Sequence, residues 1–156
     1  MVVPVFDILY RQYTAERLAY ETKINKVSEY LSENLLYNVL CQAIADFEIT
    51  NLGVLCHYPL SRLIADVSVL DDRERTFVES PFSHVDFLIY NTITKQPKMT
   101  IEVDGWQYHK GNEAQESRDV LKDEILWKYG LKPWRILTVD VIDVEVIKNK
   151  LKDISK

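Results

Sequence analysis

Met99-Thr100-Ile101-Glu102-Val103-Asp104-Gly105 carries apolar side chains at alternate positions and closes on two acids and a glycine. Period two is the pattern of a β-strand. It puts Met99, Ile101 and Val103 on one face and Glu102 and Asp104 on the other. Gly105 releases the backbone into a turn, and Trp106-Gln107-Tyr108-His109-Lys110 follows with hydrogen-bonding side chains. Two carboxylates on one face of an apolar strand repel each other and resist desolvation. A bound cation satisfies both demands; at an open strand end, so does water.

The stretch just before it, His84-Val85-Asp86-Phe87-Leu88-Ile89-Tyr90, reads as a second strand, joined to the first through residues 91–97. Val85, Phe87 and Ile89 are expected to share a face, so Asp86 projects from the other near the strand's beginning. If the two strands run antiparallel, the start of one lies beside the end of the other. Asp86, Glu102 and Asp104 then gather at one point, although they are not adjacent in sequence.

A helix is expected from about Ala114 to Tyr129, with Gly130 as its stop. Its wheel places Leu121, Ile125, Leu126 and Tyr129 on one stripe, with Arg118 and Lys122 in the middle of it. Cations on an inward face need carboxylate or phosphate partners, unless their long stems carry the charge past the core to water. Val120 and Trp127 fall on the opposite face.

Farther out, residues 6–26 are polar-rich and weakly helical, so 1–27 reads as an N-terminal helical extension or linker and 28–156 as the domain. Ser28 or Ser32 can cap a stronger helix reaching about Phe47. Leu36, Val39, Leu40, Ala43, Ile44 and Phe47 form its apolar stripe, and Glu33 falls within it. A carboxylate there needs a partner, or else interacts with the helix start. Val54–Leu60 reads as a strand closed by Pro59, with His57 as a strand-surface or core histidine. Asp71-Asp72-Arg73-Glu74-Arg75 reads as the solvated face of a short helix ending near Glu79. Trp134–Val139 is a further strand, and Val141–Ile154 a terminal helix. The sum is an α/β order around a mixed sheet.

The chain has 156 residues, 47% hydrophobic and 28% charged, the profile of one ordinary globular domain. No apolar run approaches the roughly 18 residues of a membrane span, and no signal-peptide pattern opens the chain. Cys41 and Cys56 have no metal-type spacing and are expected to pack in the core, which fits an intracellular, cytoplasmic location. Met1-Val2-Val3-Pro4-Val5-Phe6 resembles the interior of a longer sequence. The net charge of −5 argues against an autonomous nucleic-acid binder, although a metal-dependent nuclease keeps acids in its site.

The order helix–β–β–β–helix–β, with Asp86 on the second strand and Glu102-Val103-Asp104 on the third, resembles the PD-(D/E)xK nuclease superfamily. Tyr58-Pro59-Leu60, His84–Tyr90, Glu102–Gly105 with His109, and Arg118-Asp119 with Lys122-Asp123 look like one branch. That branch is similar to the very-short-patch-repair endonucleases, often found at the C-terminus of superfamily-one DNA helicases. The resemblance covers roughly residues 30–140. It implies a restriction-endonuclease-like αβββαβ core with a mixed sheet flanked by helices, and a DNA-cutting activity in a helicase-nuclease, repair or defence protein. It makes Asp86 and Glu102 metal ligands, with the Val103 carbonyl a third oxygen, and Glu33 the acid of the first helix. The superfamily's usual lysine is Asp104 here, so inward-facing Lys122 is expected to supply the missing cation. Gln107, His109 and Arg118 are further candidates.

Hard oxygen ligands imply Mg²⁺ or Mn²⁺ rather than zinc. In that mechanism Asp104 binds a second cation or acts as base, and His109 shuttles a proton. Lys122, Arg118 and Lys110 contact phosphate. The alternative is a nuclease-like fold without activity, serving as a DNA-binding or protein-docking module.

Overall fold

The structure, a computed structural model, describes residues 28–46, 49, 51–105, 113–137 and 144–155. Leu52–Pro59 (β1), His84–Asn91 (β2), Pro97–Asp104 (β3) and Trp134–Leu137 (β4) form a four-stranded sheet in that order. β1, β2 and β3 pair antiparallel, whereas β4 joins β3 in parallel. The sheet is therefore mixed: a short connection joins antiparallel β2 and β3, residues 60–83 with two short helices join β1 to β2, and a helix carries the parallel crossover to β4. The helices are Leu31–Asp46 (α1), Leu60–Leu63 (α2), Asp72–Glu79 (α3), Glu113–Lys128 (α4) and Val144–Ser155 (α5). No helix among the described residues is long and apolar enough to cross a membrane. The proposed extension over residues 1–27 lies outside the described residues.

Two apolar clusters sandwich the sheet. One joins Leu36, Val39, Leu40 and Ala43 of α1 to Phe87, Ile89, Met99 and Ile101, with Ile147 and Leu151 of α5. The other joins Leu60, Ile64 and Val78 to Val85 and Leu88, with Leu121, Ile125 and Leu126 of α4. Burial on both faces explains the continuous apolar run Phe87–Tyr90 of β2, whereas β3 alternates because Thr100 and Glu102 stand between its apolar residues. At roughly 25 cal/mol per Å² of apolar surface removed from water, these two clusters dominate the folding free energy.

Each helix start has a local cause. Asn34 Nδ2 donates to the Ser28 and Tyr30 carbonyls at 2.7 and 3.0 Å, and its Oδ1 accepts from Ser28 N–H at 3.1 Å. That knot begins α1 at Leu31, so Ser28 holds the entry loop and Ser32 is already helical. At α3, Asp71 accepts from Glu74 N–H at 2.8 Å, and the Glu74 side chain accepts from Asp71 N–H at 2.9 Å. The expected solvated charge run holds for exposed Asp71, Asp72 and Arg73 and is corrected at Glu74. Glu74 is buried and also accepts from Lys128 Nζ at 2.7 Å, because the capping geometry turns it inward against α4. Gly130 follows α4 at φ +73, the left-handed turn that glycine adopts without strain.

One strand departs from simple alternation. The paired Cys56 and Phe87 face the first cluster, whereas the next paired residues, Tyr58 and Val85, pack with the second. Val85 therefore does not share a face with Phe87 and Ile89. Between the two pairs stands His57 at φ +47, in the left-handed region that a non-glycine strand residue seldom adopts. The local rotation there turns the ladder over.

Candidate functional site

The antiparallel ladder between β2 and β3 runs down to Phe87 opposite Ile101. One step farther, Asp86 comes opposite Glu102, and regular backbone pairing stops. Val103 N–H donates to Asp86 Oδ2 at 2.7 Å instead. A side-chain carboxylate thus takes the place of a backbone acceptor. Burial raises the Asp86 pKa above the ordinary carboxylate value, against the pull of that hydrogen bond and of Lys122.

Glu102 lies on the α4 side of the sheet and is only 4% exposed. Lys122 of α4 reaches it, donating from Nζ to Oε2 at 2.6 Å. The other oxygen, Oε1, is buried with no hydrogen-bond partner among the described residues. An unsatisfied buried carboxylate oxygen is costly. Burial pushes the Glu102 carboxyl up to about 7, even though the Lys122 charge and hydrogen bond pull the other way; Asp86 adds to the rise. Asp86, Glu102 and Lys122 therefore meet from β2, β3 and α4.

Glu33 is buried on α1, and its partner is His57, with Glu33 Oε2 and His57 Nε2 2.6 Å apart. The His57 and His84 rings lie 4.9 Å apart, centroid to centroid. His84 Nδ1–H donates to the Phe82 carbonyl at 3.2 Å. Burial lowers the His84 pKa, with His57 and Lys122 adding to the effect and Asp86 opposing it. In the sequence His57 reads as a strand-surface or core histidine and His84 only as part of a strand. The signal for His57 was the acid on the buried face of α1, which required a partner.

Asp104 goes elsewhere. Arg135 of β4 donates from Nη1 to Asp104 at 2.8 Å and from Nη2 to Asp123 at 2.7 Å. Burial works against the Arg135 charge, but the bond to Asp123 and the negative field of Asp104 and Asp123 hold its pKa above the ordinary value. Asp104 is thus half of an ionic clamp between β3 and β4. Arg118 is exposed rather than inward, with its guanidinium 5.8 Å from the centre of the Phe77 ring. The aromatic face of α3 supplies the partner that the wheel sought in a carboxylate. Gln107, His109 and Lys110 lie outside the described residues.

Among the described residues, no three His, Cys, Asp or Glu side chains gather closely enough to hold a metal ion by themselves. Magnesium suits a smaller donor set, since it keeps several waters and takes one or two carboxylates. Asp86 and Glu102 are hard donors without a thiolate, and the orphan Glu102 Oε1 is an oxygen in need of a positive partner. The pair fits a magnesium-like cation better than zinc.

The fold and these residues define an α/β domain with a four-stranded mixed sheet and a buried acid–lysine cluster at one end. The chain belongs to the family described as "Protein of unknown function (DUF2726)", which matches residues 28–154. No curated protein and no solved structure matches it.

Proposed function

We propose that this chain is a Mg²⁺- or Mn²⁺-dependent DNA endonuclease domain on a restriction-endonuclease-like αβββαβ core. The reading includes membership of the PD-(D/E)xK superfamily, in the very-short-patch-repair-like branch, and a helicase partner in a longer protein. One observation carries it: Asp86, Glu102 and Lys122, from three separate elements, converge where regular β2–β3 pairing ends.

Asp86 and Glu102 would hold the cation, with the Val103 carbonyl as a third oxygen. When bound, the cation supplies positive charge against the phosphodiester and acidifies attacking water. Lys122 then fills the place of the superfamily's strand lysine. It keeps Glu102 in position and donates to a non-bridging phosphate oxygen as negative charge develops there. Exposed Arg118 contacts the nucleic-acid backbone farther out, and Lys110 is assigned the same task. Gln107 and His109 remain candidates for orienting water and moving a proton. Asp104, which pairs with Arg135 through Oδ1, would bind a second cation or act as base.

A second reading is favoured by the same Lys122–Glu102 pair, which already neutralises the acid. On that reading the domain binds DNA or docks a protein without cutting.

Cleavage of single-stranded, duplex and branched DNA with Mg²⁺, Mn²⁺ or EDTA tests the first reading. Cation-dependent cutting is expected, abolished by Asp86→Ala or Glu102→Ala in folded protein. Lys122→Ala is expected to lower turnover more than cation affinity. Undiminished cutting by both acid variants would overturn the site, and DNA binding without cation-dependent cutting would favour the second reading.

A further inference from the structure

Three features coincide at one position of the β1–β2 ladder. His57 has φ +47. Its ring is held at 2.6 Å by Glu33, a buried acid on a different element. Its place in the register is opposite Asp86, between the pairs Cys56–Phe87 and Tyr58–Val85 that face different cores. Asp86 in turn accepts the Val103 N–H that regular pairing leaves over.

We infer that Glu33 and His57 are positioning residues for Asp86. A left-handed residue inside a strand relaxes unless something holds it. The Glu33–His57 bond holds it, and the resulting rotation turns the Asp86 carboxylate across β3 to Val103, beside Glu102. Glu33 thus acts through a backbone angle rather than as a ligand. The inference rests on the proposed nuclease reading only for what Asp86 is positioned to hold.

Glycine separates the angle from the ring. It adopts positive φ without strain, whereas alanine does not. The Val103 amide reports the position of Asp86 directly, with no cation or DNA present. Its hydrogen-exchange rate, read by NMR in EDTA relative to that of Thr100 within the ladder, is the measurement. Both His57→Ala and Glu33→Ala should raise this ratio about tenfold, as expected when a left-handed residue loses its support. His57→Gly should leave it near the wild-type value, and adding Glu33→Ala to His57→Gly should change nothing further. His57→Asn, which tolerates positive φ, serves if the alanine variant does not fold, and should also keep Val103 protected. The inference is overturned if His57→Gly or His57→Asn exposes Val103 as much as alanine does, or if neither alanine variant exposes it. Failure to cut DNA would bear on the nuclease reading alone.

Discussion

Glu102 holds a proton more tightly in the folded chain than in water, because burial outweighs the pull of Lys122. The sign of the consequence follows from linkage. Its folded pKa of about 7 lies above the ordinary value of 4.5, so between those limits the native state binds more protons than the unfolded one. The contribution of Glu102 to stability is fully present below about 4.5 and is lost as pH rises towards 7 and beyond. Asp86, also raised, acts in the same sense. His84 is lowered from 6.5, so stability rises with pH until the unfolded histidine has lost its proton. Urea midpoints in EDTA, compared between wild type and Glu102→Gln, isolate the term. The wild type should lose stability relative to the variant as pH climbs from 4.5 to 8. Parallel curves would show that folding leaves the proton affinity of Glu102 unchanged.

Among the elements, α3 depends most on a few polar contacts. It has eight residues, too few to persist by helix propensity alone. Asp71 and Glu74 close its first turn reciprocally, and Val78 anchors its buried face. Asp71→Ala should cost about 1 kcal/mol in chemical denaturation, the usual loss for an N-cap. The strands β2 and β3 and the helix α4 were legible in the sequence because their apolar spacing and their stops agree. So was the approach of Asp86 to Glu102, which follows once the two strands are antiparallel. Arg118 and Asp104 were not. Each met a partner, Phe77 or Arg135, supplied by an element distant in sequence. The rotation at His57 was invisible for a related reason. No glycine marks it, and the acid that supports it lies 24 residues earlier.

At the scale of the whole molecule, two cores on opposite faces leave the acid–lysine cluster at one end of the sheet. Mg²⁺ or Mn²⁺ binding there would stabilise the entire fold through mass action. Thermal denaturation should therefore shift upward by a few degrees in a millimolar cation. EDTA should reverse the shift, and Glu102→Gln should not show it. An equal shift in the variant would place the cation elsewhere.

The ladder that turns over at His57 also bears on how the chain finds its register. In most hairpins a slip of two residues is the tempting error, since it returns every side chain to its original face. Here the two ends of one strand pair serve different cores. Sliding β1 by two would carry Tyr58 into the place of Cys56 in one direction, or Cys56 into the place of Tyr58 in the other, and each would face the wrong core. The misaligned hairpin would set a side chain shaped for one core against the other. The same turn of backbone that aims an acid therefore guards the strands against pairing two residues out of place.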